Sequence, residues 1–109
     1  MLYVGLDAHV KRSAICVLDS NGKQLTNRQV KGYWSEVIEM LKKVKQEFGG
    51  EMSICFEASC GSGHLHDQLH RIARRVVVAH PGQLRLIFRS KKKNDNVDAK
   101  KLATLLFLD

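Results

Sequence analysis

Apolar and polar positions in this chain of 109 residues change their period several times, and each change predicts an element. Leu2–Leu6 is apolar on both faces, the pattern of a central strand covered on each side. Ser13–Leu18 predicts a second strand, followed by the turn signal Asp19-Ser-Asn-Gly22. Gln24–Val30 alternates polar and apolar residues, as a strand at or near a sheet edge does. Trp34, Val37, Ile38, Leu41, Val44 and Phe48 recur at three- and four-residue spacings, which predicts an amphipathic helix ended by Gly49-Gly50. Glu39 and Lys43 stand at i,i+4 on its exposed side.

Met52–Phe56 is a short apolar fourth strand leading into Glu57. Gly61-Ser-Gly63 opens a second helix with Leu65, Leu69 and Ile72 on one face. Val76–Ala79 is a fifth strand, Pro81 starts a helix with Leu84, Ile87 and Phe88 inward, and a final helix runs from about Asp95. The order βββαβαβαα is that of a ribonuclease H-like α/β domain: a mixed five-stranded sheet with flanking helices. Its first three strands form an antiparallel meander, and the fourth lies parallel beside the first by a right-handed crossover.

Composition narrows the class. One domain of this length can bury a real core, and 44% hydrophobic with 27% charged residues is ordinary for a soluble protein. No apolar stretch reaches the ~20 residues that span a bilayer, and Met1–Asp7 lacks the basic start of a signal peptide. Cys16, Cys55 and Cys60 are odd in number and form no CxxC pair. Neither a disulfide framework nor a zinc knuckle is indicated, and a reducing cytoplasm fits best. The formal charge is +7, concentrated in Arg85, Arg89, Lys91, Lys92, Lys93, Lys100 and Lys101. Such a run suits a polyanion, because each neutralised phosphate releases counterions; its alternative is a solvated surface.

The candidate chemistry lies in four carboxylates. Asp7 and Glu57 close strands expected to be parallel neighbours, so both emerge at one end of the sheet, where open α/β sheets place their sites. Asp7 shares its face with Gly5, and Glu57 shares its face with Ser53 and Cys55, small side chains that leave room for an ion. Asp95, Asp98, Leu102 and Leu105 fall on one helix face, so two carboxylates continue an inward apolar stripe. Buried carboxylates close together need a counter-charge, and a divalent cation with oxygen ligands supplies one. Taken singly, Asp7 reads as a strand-end residue, Glu57 as a surface charge, Asp95 as a helix N-cap and Asp98 as a helix-dipole partner. Jointly they point to metal-assisted phosphodiester chemistry.

Val4-Gly-Leu-Asp7-Ala-His9, Phe56-Glu57-Ala-Ser59, Val78-Ala-His-Pro81 and Lys93-Asn-Asp95-Asn-Val-Asp98-Ala-Lys-Lys-Leu102 carry a resemblance across nearly the whole chain. It resembles the N-terminal, RuvC-like catalytic domain of the DEDD transposases, the insertion-sequence one-ten family. The Lys-x-Asp-x-x-Asp-Ala block is the most specific element. The resemblance implies that Asp7, Glu57, Asp95 and Asp98 match the family's metal-binding acidic residues. It further implies magnesium- or manganese-dependent DNA recombination guided by a structured, element-encoded RNA. A C-terminal domain with a catalytic serine is absent from these residues, and the full-length protein is expected to be a homo-oligomer. Ala58-Ser-Cys-Gly-Ser62, after Glu57, departs from the family, whose members often carry an aromatic soon after the glycine. A non-catalytic nucleic-acid-binding or assembly module of the same fold, or a Holliday-junction-type nuclease, is the alternative. His64, His66 and His70 lack the Glu of an HExxH motif and read as polar-face residues; Cys60 reads as an ordinary thiol. Tyr33 and Trp34 are possible base-stacking residues, with Trp34 on the apolar stripe and assigned to the core.

Overall fold

The computed structural model describes residues 1–57, 62–79 and 95–108; in the last stretch the side chains are described from Ala99 onward. Its elements are β1 (Leu2–Ala8), β2 (Arg12–Leu18), β3 (Gln24–Lys31), α1 (Trp34–Phe48), β4 (Met52–Glu57), α2 (Ser62–Leu69), β5 (Arg75–Ala79) and α3 (Asp95–Leu108). The helix expected to start at Pro81 lies outside the described residues.

One five-stranded sheet runs in the order β3-β2-β1-β4-β5. β1 pairs antiparallel with β2 and parallel with β4, and β4 pairs parallel with β5. The expected meander, the crossover that seats β4 beside β1, and the edge position of β3 are all present. β1 runs one residue past Asp7, which was expected to close it, because Asp7 and Ala8 are both paired, with Ala14 and Ser13 of β2.

The β2–β3 turn forms where the Asp19-Ser-Asn-Gly22 signal lies. The Asp19 carboxylate accepts hydrogen bonds from the Asn21 and Lys23 amides at 2.8 and 2.9 Å, and Gly22 takes φ 83. Helix α1 has the boundaries its period predicts. Val37, Leu41 and Val44 are buried, and Gly49 donates to the Lys45 carbonyl while taking φ 74, ψ 164, a positive-φ conformation that glycine adopts without steric cost. Glu39 pairs with Lys42 at 3.5 Å, one position earlier than expected.

Two faces of the sheet are covered, and the alternation along β1 sorts the residues between them. Leu2, Val4 and Leu6 join Ile54, Phe56, Val37, Leu41, Leu65 and Leu69 in the larger core, under α1 and α2. The other face holds Ala14, Cys16 and Leu18 against Ala99 and Ala103, and Cys55 and Ala79 against Leu102 and Leu106. α3 therefore covers it alone among the described helices. Each fully buried leucine contributes roughly 1.5–3 kcal/mol by leaving water, so both layers hold their helices mainly by apolar burial. Among the described residues, no helix is long and apolar enough to cross a membrane.

Candidate functional site

Small side chains decide how α3 meets the sheet. At Gly5 a Cβ would lie 1.9 Å from the Ala99 carbonyl oxygen and 2.4 Å from the Ala103 amide nitrogen. The absent side chain lets helix backbone rest directly on strand backbone. Further along, the Tyr3 and Phe107 rings meet edge to face, with centroids 5.4 Å apart. The direction of α3 follows from these two contacts. Its C-terminal part lies over the start of β1, so its first turn, which holds Asp95 and Asp98, lies toward the end of β1 that carries Asp7.

Asp7 is 3% exposed, and its Oδ1 lies 3.2 Å from His9 Nε2. The strand puts Tyr3, Gly5 and Asp7 on the α3 side. In the parallel ladder Gly5 is level with Cys55 and Leu6 with Phe56. Asp7 and Glu57 are thus one step beyond the last pair, on the same face of adjacent strands, which are roughly 4.8 Å apart. Glu57 is half-buried and ends β4, as its sequence position predicts. The side chains of Asp95 and Asp98 lie outside the described residues. Among the described residues, no group of three or more His, Cys, Asp or Glu side chains could hold a metal ion. The described contribution is two carboxylates from neighbouring strands and the imidazole beside one of them.

Carboxylate oxygens are the donors that hard dications prefer, and a buried carboxylate needs a counter-charge. The space over Gly5 and Cys55, expected to leave room for an ion, is filled by α3. The fit to a divalent cation therefore rests on the donor chemistry of Asp7 and Glu57 beyond them. Burial also raises the Cys16 thiol above its usual value, against a smaller lowering by Lys100; Cys16 and Cys55 are buried thiols. His66 on α2 and His70 just past its end meet edge to face with ring centroids 4.4 Å apart, and His64 Nε2 is 3.0 Å from Gln68 Nε2.

Of the basic run, Arg85, Arg89, Lys91, Lys92 and Lys93 lie outside the described residues, while Lys100 is exposed and Lys101 half-buried on α3. Two features escape a reading by sequence alone. His9 follows Asp7 by two residues, and only the spacing could have flagged it. Exposed Lys11, Arg12 and Lys31 are brought together by the β2–β3 ladder, in which Arg12 pairs with Lys31; no local run announces them.

A family model described as "DEDD_Tnp_IS110: Transposase" matches residues 4–109. The "Transposase for insertion sequence element IS1533" of Leptospira borgpetersenii is 32% identical over 106 residues, 96% of this chain and 30% of that protein. The chain thus spans about 30% of the length of this relative. A solved structure described as "Crystal structure of the ROK family transcriptional regulator, homolog of E.coli MLC protein" superposes with TM-score 0.54 at 10% identity. It covers 80% of this chain and 30% of the other, and at that identity it speaks for the fold alone.

Proposed function

The chain belongs to the DEDD transposases of the IS110 type, and from that premise we propose that it is their RNase H-like, RuvC-like catalytic domain. Asp7, Glu57, Asp95 and Asp98 hold magnesium or manganese there and act on DNA phosphodiesters during transposition of an insertion sequence. The observation that carries the reading is the seating of α3 on Gly5. Antiparallel to β1, the helix brings its first turn to the strand end where buried Asp7 and neighbouring Glu57 lie.

The roles follow from chemistry. Asp7 and Glu57, on adjacent strands, form the rigid half of the ligand set, and His9 at 3.2 Å steadies the Asp7 carboxylate. Asp95 and Asp98 form the half that arrives with α3. A bound dication supplies the positive charge that stabilises the attacking and leaving oxygens of phosphoryl transfer. Arg85, Arg89, Lys91, Lys92, Lys93, Lys100 and Lys101 hold the phosphate backbone, contacts that position a strand without reading its sequence. The complete reaction draws on a serine-bearing domain and a structured guide RNA, with the full-length protein assembled as a homo-oligomer.

Calorimetric titration with manganese tests the site. Heat is expected from the wild-type chain and none from Asp7→Asn or Asp98→Asn; heat surviving both substitutions would refute the ligand set. A strand-transfer assay on element-end DNA should be blank for residues 1–109 and positive once the downstream polypeptide and guide RNA are added. Absence of metal heat together with retained DNA binding would instead favour a non-catalytic binding module.

A further inference from the structure

We propose that the cavity between the start of α1 and α2 takes an unpaired base of a DNA strand lying across the Asp7 end of the sheet. Its volume is about 300 Å³, and Val10, Tyr33, Trp34, Ser35, His64 and Gln68 line it. That is the low end of the ~300–1,000 Å³ of small-ligand pockets, a size suited to one planar ring system.

The lining has the chemistry that a base needs. Tyr33 and Trp34 offer aromatic surfaces for stacking, and Tyr33 is 62% exposed. His64 and Gln68, 3.0 Å apart, offer an imidazole and an amide to a base edge, and Ser35 adds a hydroxyl. The indole N–H of Trp34 is buried with no acceptor among the described residues, a second reason to expect an acceptor-bearing occupant. Stacking tolerates any base and contributes about 1–3 kcal/mol per base, so the pocket serves position rather than sequence.

Topology fixes where the cavity opens. Val10 lies three residues past Asp7, within roughly 10 Å along the chain. Tyr33 follows the end of β3 that pairs with the start of β2, and α2 follows the end of β4 that carries Glu57. All three elements converge at the end of the sheet where the carboxylates sit. The Gly32 amide donates to the Lys11 carbonyl at 2.9 Å, tying the Val10 and Tyr33 sides of the rim together. Exposed Lys11 adjoins that rim through this bond, with Glu36 the acidic residue of the first turn of α1. Exposed Arg12 and Lys31 alternate with Ser13 and Val30 and so face the α3 side of the same sheet end, where their charge complements the phosphates of a strand that passes Asp7.

The inference rests on the proposed reading that the chain acts on DNA, but not on its metal. Trp34 is the one tryptophan of the sequence, so its fluorescence reports directly on the cavity. In EDTA, a short single-stranded oligodeoxynucleotide should quench Trp34. A strand of the same length with abasic sites, or a fully paired duplex, should bind without that quenching. Tyr33→Ala should weaken single-strand binding about fivefold or more, the fold-change matching the lower bound of one stacked base, and leave the salt slope unchanged. Tyr33 makes no side-chain cap bond to α1, so this variant should keep its fold, checked by circular dichroism. Equal affinity for abasic and base-bearing strands, or no effect of Tyr33→Ala, would overturn the pocket while leaving the DNA reading intact. Tighter binding and stronger quenching by the matching oligoribonucleotide would overturn DNA as the occupant. Failure to bind any DNA would overturn both readings.

Discussion

A Cβ at Gly5 would lie 1.9 Å from a carbonyl oxygen of α3, and backbone cannot rotate away as a side chain can. Gly5→Ala should therefore destabilise by about 3 kcal/mol, the upper part of the usual overpacking range. Gly63, in α2, has nothing within 4 Å of its would-be Cβ. Gly63→Ala should stabilise by about 0.5–1 kcal/mol, as it does in an open helical position. Urea midpoints moving in opposite directions for the two variants would bear this out; equal shifts would contradict the backbone contact. Cys16 gives a pH prediction. Burial raises its folded-state value, so the neutral thiol is favoured in the fold. Well below the ordinary thiol value this makes no difference. As pH rises through that value the unfolded chain ionises first, and stability falls. Between about pH 8 and pH 10 the wild-type chain should lose more stability than Cys16→Ala, measured by denaturation at each pH; parallel losses would count against it.

Helices on opposite faces of the sheet allow the proposed metal binding to be tested apart from stability. Leu41 on α1 and Leu102 on α3 are both fully buried, so truncation to Ala should cost about 2–5 kcal/mol at either site. Under the proposed ligand set, Leu102→Ala should also weaken manganese binding, because α3 carries Asp95 and Asp98. Leu41→Ala should leave the affinity of the folded chain nearly unchanged. Calorimetry under folding conditions separates the two, and equal affinities would detach α3 from the site. α1 was legible in full, since its six apolar positions recur at one period and a glycine pair stops it. β1 was legible as far as Asp7, expected to close it, and its ladder partner Ser13 keeps Ala8 extended one residue further. Asp7 and Glu57 could be placed on a shared face from alternation alone, whereas the side chains of Asp95 and Asp98 fall outside what the structure describes.

Charge acts on the whole molecule. A net +7 predicts DNA binding that falls steeply with salt, each phosphate contact adding about 0.9 to the slope of log affinity against log salt. Replacing Lys91, Lys92 and Lys93 together by Ala should lower that slope by up to about 3. Replacing Lys11 and Lys31 should lower it by up to about 2. Affinities measured across a salt series decide each case. An unchanged slope in the first variant would make that run a solvated surface, and in the second would remove the β2–β3 cluster from the interface.

By itself, the sequence determined the strands and α1 among the described residues, the place of β3 at or near an edge, and which face of β1 carries Asp7. Those properties follow from the period of side chains within one segment. The tertiary structure alone decided that α3 runs antiparallel to β1 on Gly5, that Lys11, Arg12 and Lys31 gather at one end of the sheet, and that residues from the β1–β2 turn, α1 and α2 line one cavity. A glycine in sequence announces freedom or close approach without naming the partner, and residues far apart in the chain meet only through strand register and helix packing. Local periodicity carries no record of either.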